Sequence, residues 1–182
     1  DFVTWSTDRV TVRGVGGRPH VRGTKFIPNG KGLFVVQGTR IRVENLEFSG
    51  AVVQDQNGAG IRGEGRNLTI FNSYFHDNEN GILADDAGTL TIEYSTFADN
   101  GGGDGQTHTV YIGDGPRLTF RHNYSHHSRI GHTLKSRARE NLVLYNRIMD
   151  EVSGTGSYTI DLPNGGLAVV LGNLLQQGPN TD

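Results

Sequence analysis

The segment Leu68-Thr-Ile-Phe-Asn72 returns as Leu90-Thr-Ile-Glu-Tyr94 and Leu118-Thr-Phe-Arg-His122. In looser form it returns as Ile41-Arg-Val-Glu-Asn45, Leu142-Val-Leu-Tyr-Asn146 and Val169-Val-Leu-Gly-Asn173. Each copy is an alternating apolar pair closed by a polar or small residue, and the starts are 27, 22, 28, 24 and 27 residues apart. A recurrence of this length marks a stacked-repeat architecture. A second alternating stretch precedes each copy, at Leu33-Phe-Val, Ile61-Arg-Gly, Ile82-Leu-Ala, Val110-Tyr-Ile, Leu134-Lys-Ser and Ile160-Asp-Leu. A third apolar point follows at Phe48, Phe75, Phe97, Tyr124, Ile148 and Leu175.

Three short strands cannot bury a face alone, but stacked coils bury one continuous column. The pattern therefore predicts an all-β fold, a right-handed single-stranded parallel β-helix of about seven coils, with residues 1–182 as one domain. Period-2 alternation sends Leu33, Ile61, Ile82, Val110, Leu134 and Ile160 inward. Their successors Phe34, Arg62, Leu83, Tyr111, Lys135 and Asp161 then form an outward column, the candidate binding face. Asn45, Asn72, Asn146 and Asn173 are expected at one bend, joined by Tyr94 and His122, as a structural ladder of stacked amides. Long period-3.6 stretches are lacking, and the scattered glycines argue further against helix.

Composition agrees. Of 182 residues 27 are Gly, dispersed among apolar residues rather than gathered in a tract, as many short strands and turns require. Charge is balanced, 17 Lys and Arg against 19 Asp and Glu, so no polycation for nucleic acid is present. The apolar runs, such as Leu33 to Val36, fall far short of the roughly 20 residues that span a bilayer. No membrane or nucleic-acid partner is expected. With no Cys, neither a disulfide framework nor Cys-ligated zinc is possible. The chain starts in strand-like alternation at Asp1-Phe-Val-Thr-Trp5 and stops soon after an ordinary coil. Uncapped solenoid ends expose strand edges, so a fragment of a longer chain, end-to-end self-association or capping by another chain is expected.

The chemistry-bearing residues concentrate in His122-Asn-Tyr-Ser-His126-His127-Ser-Arg129-Ile-Gly-His132-Thr-Leu-Lys135-Ser-Arg137. Lys135 and Arg137 share the outward side of one strand, with His132 just before it. Such a cluster suits a uronate carboxylate, Arg through its bidentate fork and Lys as a point charge. Asp161 is the counterpart of Lys135 on the next coil, where a plain ion pair is the structural alternative. Tyr158 is placed to overhang the same face. Arg62, Tyr111, His126, His127 and Asp161 complete the candidate substrate-binding set. No metal ligand set is assigned, because adjacent His126 and His127 point to opposite faces of a regular strand. His76-Asp-Asn-Glu-Asn80 and Asp99-Asn100 offer oxygens for Ca²⁺, without the spacing of an EF-hand. A second constellation, Glu64, Asp85, Asp86, Asp104 and Asp114, has the residue type for glycoside hydrolysis and equally that of turns.

Asn67-Leu-Thr-Ile-Phe-Asn-Ser-Tyr-Phe75 and Gly131-His-Thr-Leu-Lys-Ser-Arg-Ala138 resemble bacterial β-helix repeat proteins of the pectin-lyase-like superfamily, over essentially the whole chain. Within it, Lys135-Ser136 is similar to the Lys-Ser segment of the chondroitinase B and alginate lyase family. That resemblance implies β-elimination on an acidic polysaccharide, with Lys135 as base, and an extracellular or periplasmic location. The family places its acid, an Arg, on the following coil, and acidic Ca²⁺ ligands before the Lys. Here Asp161 holds the Arg column, and Gly131 and His132 hold the acidic positions, so no cofactor is assigned: Ca²⁺ stays open as an alternative, but its acidic ligands are not evident. Arg137 is then the carboxylate partner and His132 or Tyr158 the proton-transfer group. Polygalacturonases, hydrolases of the same fold with paired Asp and a Gly-His segment, give the second enzymatic reading. A non-catalytic glycan-binding or structural β-helix is the third.

Overall fold

A computed structural model describes residues 2–85 and 87–181. Twenty-one strands and no helix occur among them. Each coil gives one strand to each of three parallel, seven-stranded sheets. Val3–Trp5, Thr11–Arg13 and His20–Arg22 make the first coil; Ile160–Asp161, Leu167–Leu171 and Leu174–Gln176 make the last. The chain is a parallel β-helix, and its core is a column of apolar side chains from Ile27 to Ile148.

Stacking of like on like organises that column. Phe48 lies 5.0 Å from Phe75, and Phe75 5.1 Å from Phe97, with rings within 10° of parallel. Glycines make room: a Cβ on Gly60 would come within 2.9 Å of the Phe75 ring. At the third sheet the repeat departs from the sequence reading. Ser125, not Tyr124, is aligned with Phe97 and is buried, while Tyr124 faces outward. Phe120 of the second sheet packs 6.0 Å from Phe97 and continues the aromatic core.

Two further registers differ by one residue. Phe34 aligns with Ile61 and packs between Trp5 and Phe48, so Val35 is the position in line with Arg62. Strand Gly32–Val36 is buried throughout, and a strand without alternation carries no facing signal. Asn141, not Leu142, aligns with Leu118. It is fully buried, donating to the Ala138 carbonyl at 2.8 Å, which turns Leu142 and Leu144 outward.

That slip splits the expected amide ladder in two. Asn45, Asn72, Tyr94, His122, Tyr145 and Gly172 all have φ between 45° and 67°. They form a left-handed bend column that Asn and Gly tolerate best. Ser73, Ser95, Asn123, Asn146 and Asn173 follow one residue later as the hydrogen-bonded ladder. Asn146 Nδ2 donates to the Phe120 carbonyl at 2.9 Å and to Asn173 Oδ1 at 2.9 Å. Its Oδ1 accepts the Asn123 amide N–H at 2.9 Å. A separate pair, Asn78 and Asn100, repeats this arrangement at the next corner. Bends that would strand buried backbone groups are thereby satisfied.

Candidate functional site

On the first sheet Val110 and Ile112 point inward, as do Leu134 and Ser136, so Tyr111 and Lys135 project outward. Register places Val35, Arg62, Leu83, Tyr111, Lys135 and Asp161 in line along that face. Arg137 joins them, its Nε donating to the Tyr111 hydroxyl at 3.2 Å and a terminal nitrogen to Asn164 Oδ1 at 2.8 Å.

A second column runs beside the first through Asn80, His108, His132 and Tyr158. The His108 amide N–H donates to Asn80 Oδ1 at 2.8 Å, and the His132 amide N–H donates to His108 Nδ1 at 3.1 Å. The His132 ring lies 4.8 Å from that of His108 and 5.1 Å from that of Tyr158. Gly131 makes this close stacking possible. Its φ is 111°, and a Cβ there would fall 2.0 Å from the Thr107 carbonyl oxygen. No side chain fits.

Asp161 joins the two columns. Its Oδ2 stands 3.1 Å from Lys135 Nζ and 3.0 Å from His132 Nδ1, the latter within ion-pair reach but off the line of a hydrogen bond. Burial, reinforced by the charges of His132 and Lys135, pushes His108 down to about 4. Its Nδ1 is an acceptor, so the neutral ring carries its proton on Nε2. Burial and then the Lys135 ammonium also hold His132 below the ordinary histidine value, with Asp161 pulling the other way. Two neutral imidazoles therefore stand beside a cation and a carboxylate at neutral pH. Tyr158, 60% exposed, closes the end of the second column.

Leu83, His108 and Tyr111 floor a cleft of about 500 Å³ walled by Asp55, Gln56, Asn57, Asp104, Gln106 and Thr107. It lies over the middle of the outward column, at Leu83 and Tyr111. His108 was not singled out in the sequence, and Asn80 only as an oxygen donor for Ca²⁺. The signal for His108 is there: it stands two residues before Val110 as His132 stands two before Leu134.

Other expected residues fall elsewhere. His126 belongs to the third sheet, stacked on Tyr124 at 4.3 Å, and His127 crosses it edge-on at 4.8 Å. Closeness in sequence to Lys135 does not bring them to its face, because a bend and a change of sheet intervene. Arg62 is two coils from Tyr111 and donates to Asp85 Oδ2 at 3.1 Å.

Among the carboxylates, Glu64 is bound by Lys31 at 2.5 Å and Gln37 at 3.0 Å. Burial opposes its charge, but these partners hold it below the ordinary value. Asp104 accepts the Gln106 and Thr107 amide N–H groups of its own turn. Asp114 is exposed, and Asp86 lies outside the described residues. Glu79 accepts amide N–H groups from Val53 and Gly58, at 3.1 and 2.7 Å, and ties down the 51–58 loop. Most of these acidic groups are thus already engaged in ion pairs or turns.

The family described as right handed beta helix region matches residues 8–174, nearly the whole chain. The protein belongs to that family, which fixes the hand of the coil. No curated protein and no solved structure matches it.

Proposed function

We propose that the first-sheet face takes an acidic, uronate-containing polysaccharide outside the cytoplasm and cleaves it by β-elimination. The observation that supports this reading is the bridging carboxylate of Asp161, which puts an imidazole and an ammonium within 3.1 Å of one group, next to an exposed phenol. Elimination at a uronate needs a base, a cation for the carboxylate and a donor for the leaving oxygen. His132 is held below the ordinary histidine value and is neutral near pH 7, and the nearby Asp161 carboxylate favours the proton on Nδ1, which leaves Nε2 as the base. Lys135 and Arg137 face the substrate carboxylate. The C5 proton passes to His132 Nε2 and its electron pair forms the C4–C5 double bond. The C4–O bond breaks, and Tyr158 protonates the departing oxygen. Proton return from His132 to the Tyr158 phenolate, directly or through water, restores both groups.

A second reading is binding without cleavage. It is favoured by the fact that Arg62, Lys135 and Arg137 each already have a protein partner. The test is incubation with a panel of uronate polymers. Elimination alone creates an ultraviolet-absorbing unsaturated end. Salt-sensitive binding without that chromophore favours the binding module, and saturated products favour a hydrolase. Absence of both binding and cleavage across the panel overturns the glycan readings together.

A further inference from the structure

A different face carries a second constellation. On the third sheet, His20, Glu47 and His76 come from three successive coils, on strands His20–Arg22, Glu47–Ser49 and Tyr74–His76. His20 aligns with Glu47, and His76 aligns with Ser49, so the two imidazoles flank the Glu47 strand from opposite sides. His76 Nε2 lies 3.0 Å from Glu47 Oε1, and His20 Nδ1 lies 3.4 Å from the same oxygen. One ligand atom from each residue falls within 4.8 Å of the other two.

The outer nitrogens are held as well. His76 Nδ1 meets Asp77 Oδ2 at 2.8 Å, and Asp77 is itself bonded by Arg129 at 2.6 Å. Asp77 Oδ2 accepts the Nδ1 proton, so Nε2, which meets Glu47 Oε1, is the nitrogen a metal would take in place of a proton. His20 Nε2 meets Ser49 Oγ at 2.7 Å, which leaves Nδ1 toward the same point. Tyr74 stacks on the His76 ring at 4.5 Å and limits its rotation. Imidazoles anchored at the far nitrogen, one of them by a carboxylate, are the usual outer shell of metal-binding histidines.

We propose that His20, Glu47 and His76 form a binding site for a divalent transition metal of the Zn²⁺ class. Two imidazole nitrogens and a carboxylate oxygen suit such an ion, whereas Ca²⁺ requires six to eight oxygens. Ligands at 2.0–2.2 Å in a tetrahedron stand about 3.4 Å apart. The two edges to Glu47 are near that length, and the third, within 4.8 Å, closes by up to about 1.4 Å on binding. Three protein ligands leave the fourth position open to water or a glycan oxygen, so the site can anchor a ligand on a face separate from the Lys135 column.

The test uses the full chain, stripped with a chelator. Zn²⁺ titration by calorimetry is expected to give one saturable site, and Co²⁺ the absorption of a tetrahedral nitrogen–oxygen complex. His76→Ala and His20→Ala should each weaken Zn²⁺ binding at least 100-fold. Asp77→Asn, which touches only the outer nitrogen, should weaken it 10- to 100-fold. His122→Gln, in the second-sheet bend column, should leave it unchanged, and far-UV circular dichroism should show all variants folded. Failure to bind Zn²⁺, equal binding by the His20→Ala/His76→Ala double variant, or a preference for Ca²⁺ overturns the assignment.

Discussion

The imidazole of His108 lies 4.8 Å from that of His132, tilted by only 12°, and its Nδ1 accepts the His132 amide N–H. A ring so placed is poorly suited to a proton, since protonation of Nδ1 would lose that bond and add charge beside Lys135.

The first expectation is a pH dependence. Unfolded, His108 takes up a proton near 6.5; folded, it does so only at about 4. Between those values the unfolded chain binds the additional proton, so stability falls as pH drops through the window and levels off below it. His126 and His132, also shifted down, act with the same sign. Glu79 and Asp150, whose carboxyls burial raises, act against it because the folded state protonates first. Proton NMR should find a histidine ring titrating near 4, assigned by its loss in His108→Gln. Urea unfolding midpoints should decline from pH 7 to pH 5. A His108 that titrates at the ordinary histidine value would remove this account.

The buried ladder gives the second. Asn146→Ala removes the partner of the Phe120 carbonyl and of the Asn123 amide, both buried. Each unsatisfied group costs about 1–3 kcal/mol, so a total loss of about 3 kcal/mol is expected. Asn72→Ala, in the partly exposed bend column at φ 45°, should cost about 1 kcal/mol from backbone strain. Chemical denaturation of the two variants compares them directly, and equal losses would contradict the ladder's role.

This contrast also marks how far the sequence could be read. The coil number, the three strands per coil and the outward Arg62–Leu83–Tyr111–Lys135–Asp161 column follow from alternation alone. Register failed where the core side of a strand is polar, at Asn141 and Ser125, or where both sides are apolar, at Phe34. At Asn141 a hydrogen bond to the Ala138 carbonyl compensates, and at Ser125 the hydroxyl is buried without a hydrogen-bond partner, neither of which a single-strand pattern reveals. The Asp161 bridge to Lys135 was legible, since both sit one coil apart in register. The placement of His126 and His127 was not, because neighbours in sequence can leave for another sheet at a bend. His20, Glu47 and His76 are 27 and 29 residues apart, and only the stacked coils bring them together.

The third expectation concerns the aromatic core. Phe75 stacks between Phe48 and Phe97 and is fully buried. Phe75→Ala should cost about 3–5 kcal/mol through transfer and cavity effects. Phe75→Leu keeps most of the volume and should cost much less. Thermal denaturation followed by circular dichroism would show the order, and similar losses for both would point to a core held by something other than this stack.

The last expectation concerns chemistry on the first-sheet face. If His132 is the base, His132→Gln should lower the elimination rate by about 10²–10⁴-fold, the usual contribution of a positioned proton acceptor. Its protonation lies below the ordinary histidine value, so kcat/KM should be flat near pH 7 and fall on the acid side of 6.5. Asp161→Asn keeps the shape but loses the charge that stands beside His132 and pairs with Lys135. It should lower kcat and move that acid limb to lower pH. Lys135→Met should chiefly raise KM, as loss of a carboxylate partner does. The opposite split, kcat abolished by Lys135→Met and little changed by His132→Gln, would assign the base to Lys135, the role implied by its Lys-Ser segment. Full activity in both variants would leave the face without a proton acceptor and remove the elimination mechanism.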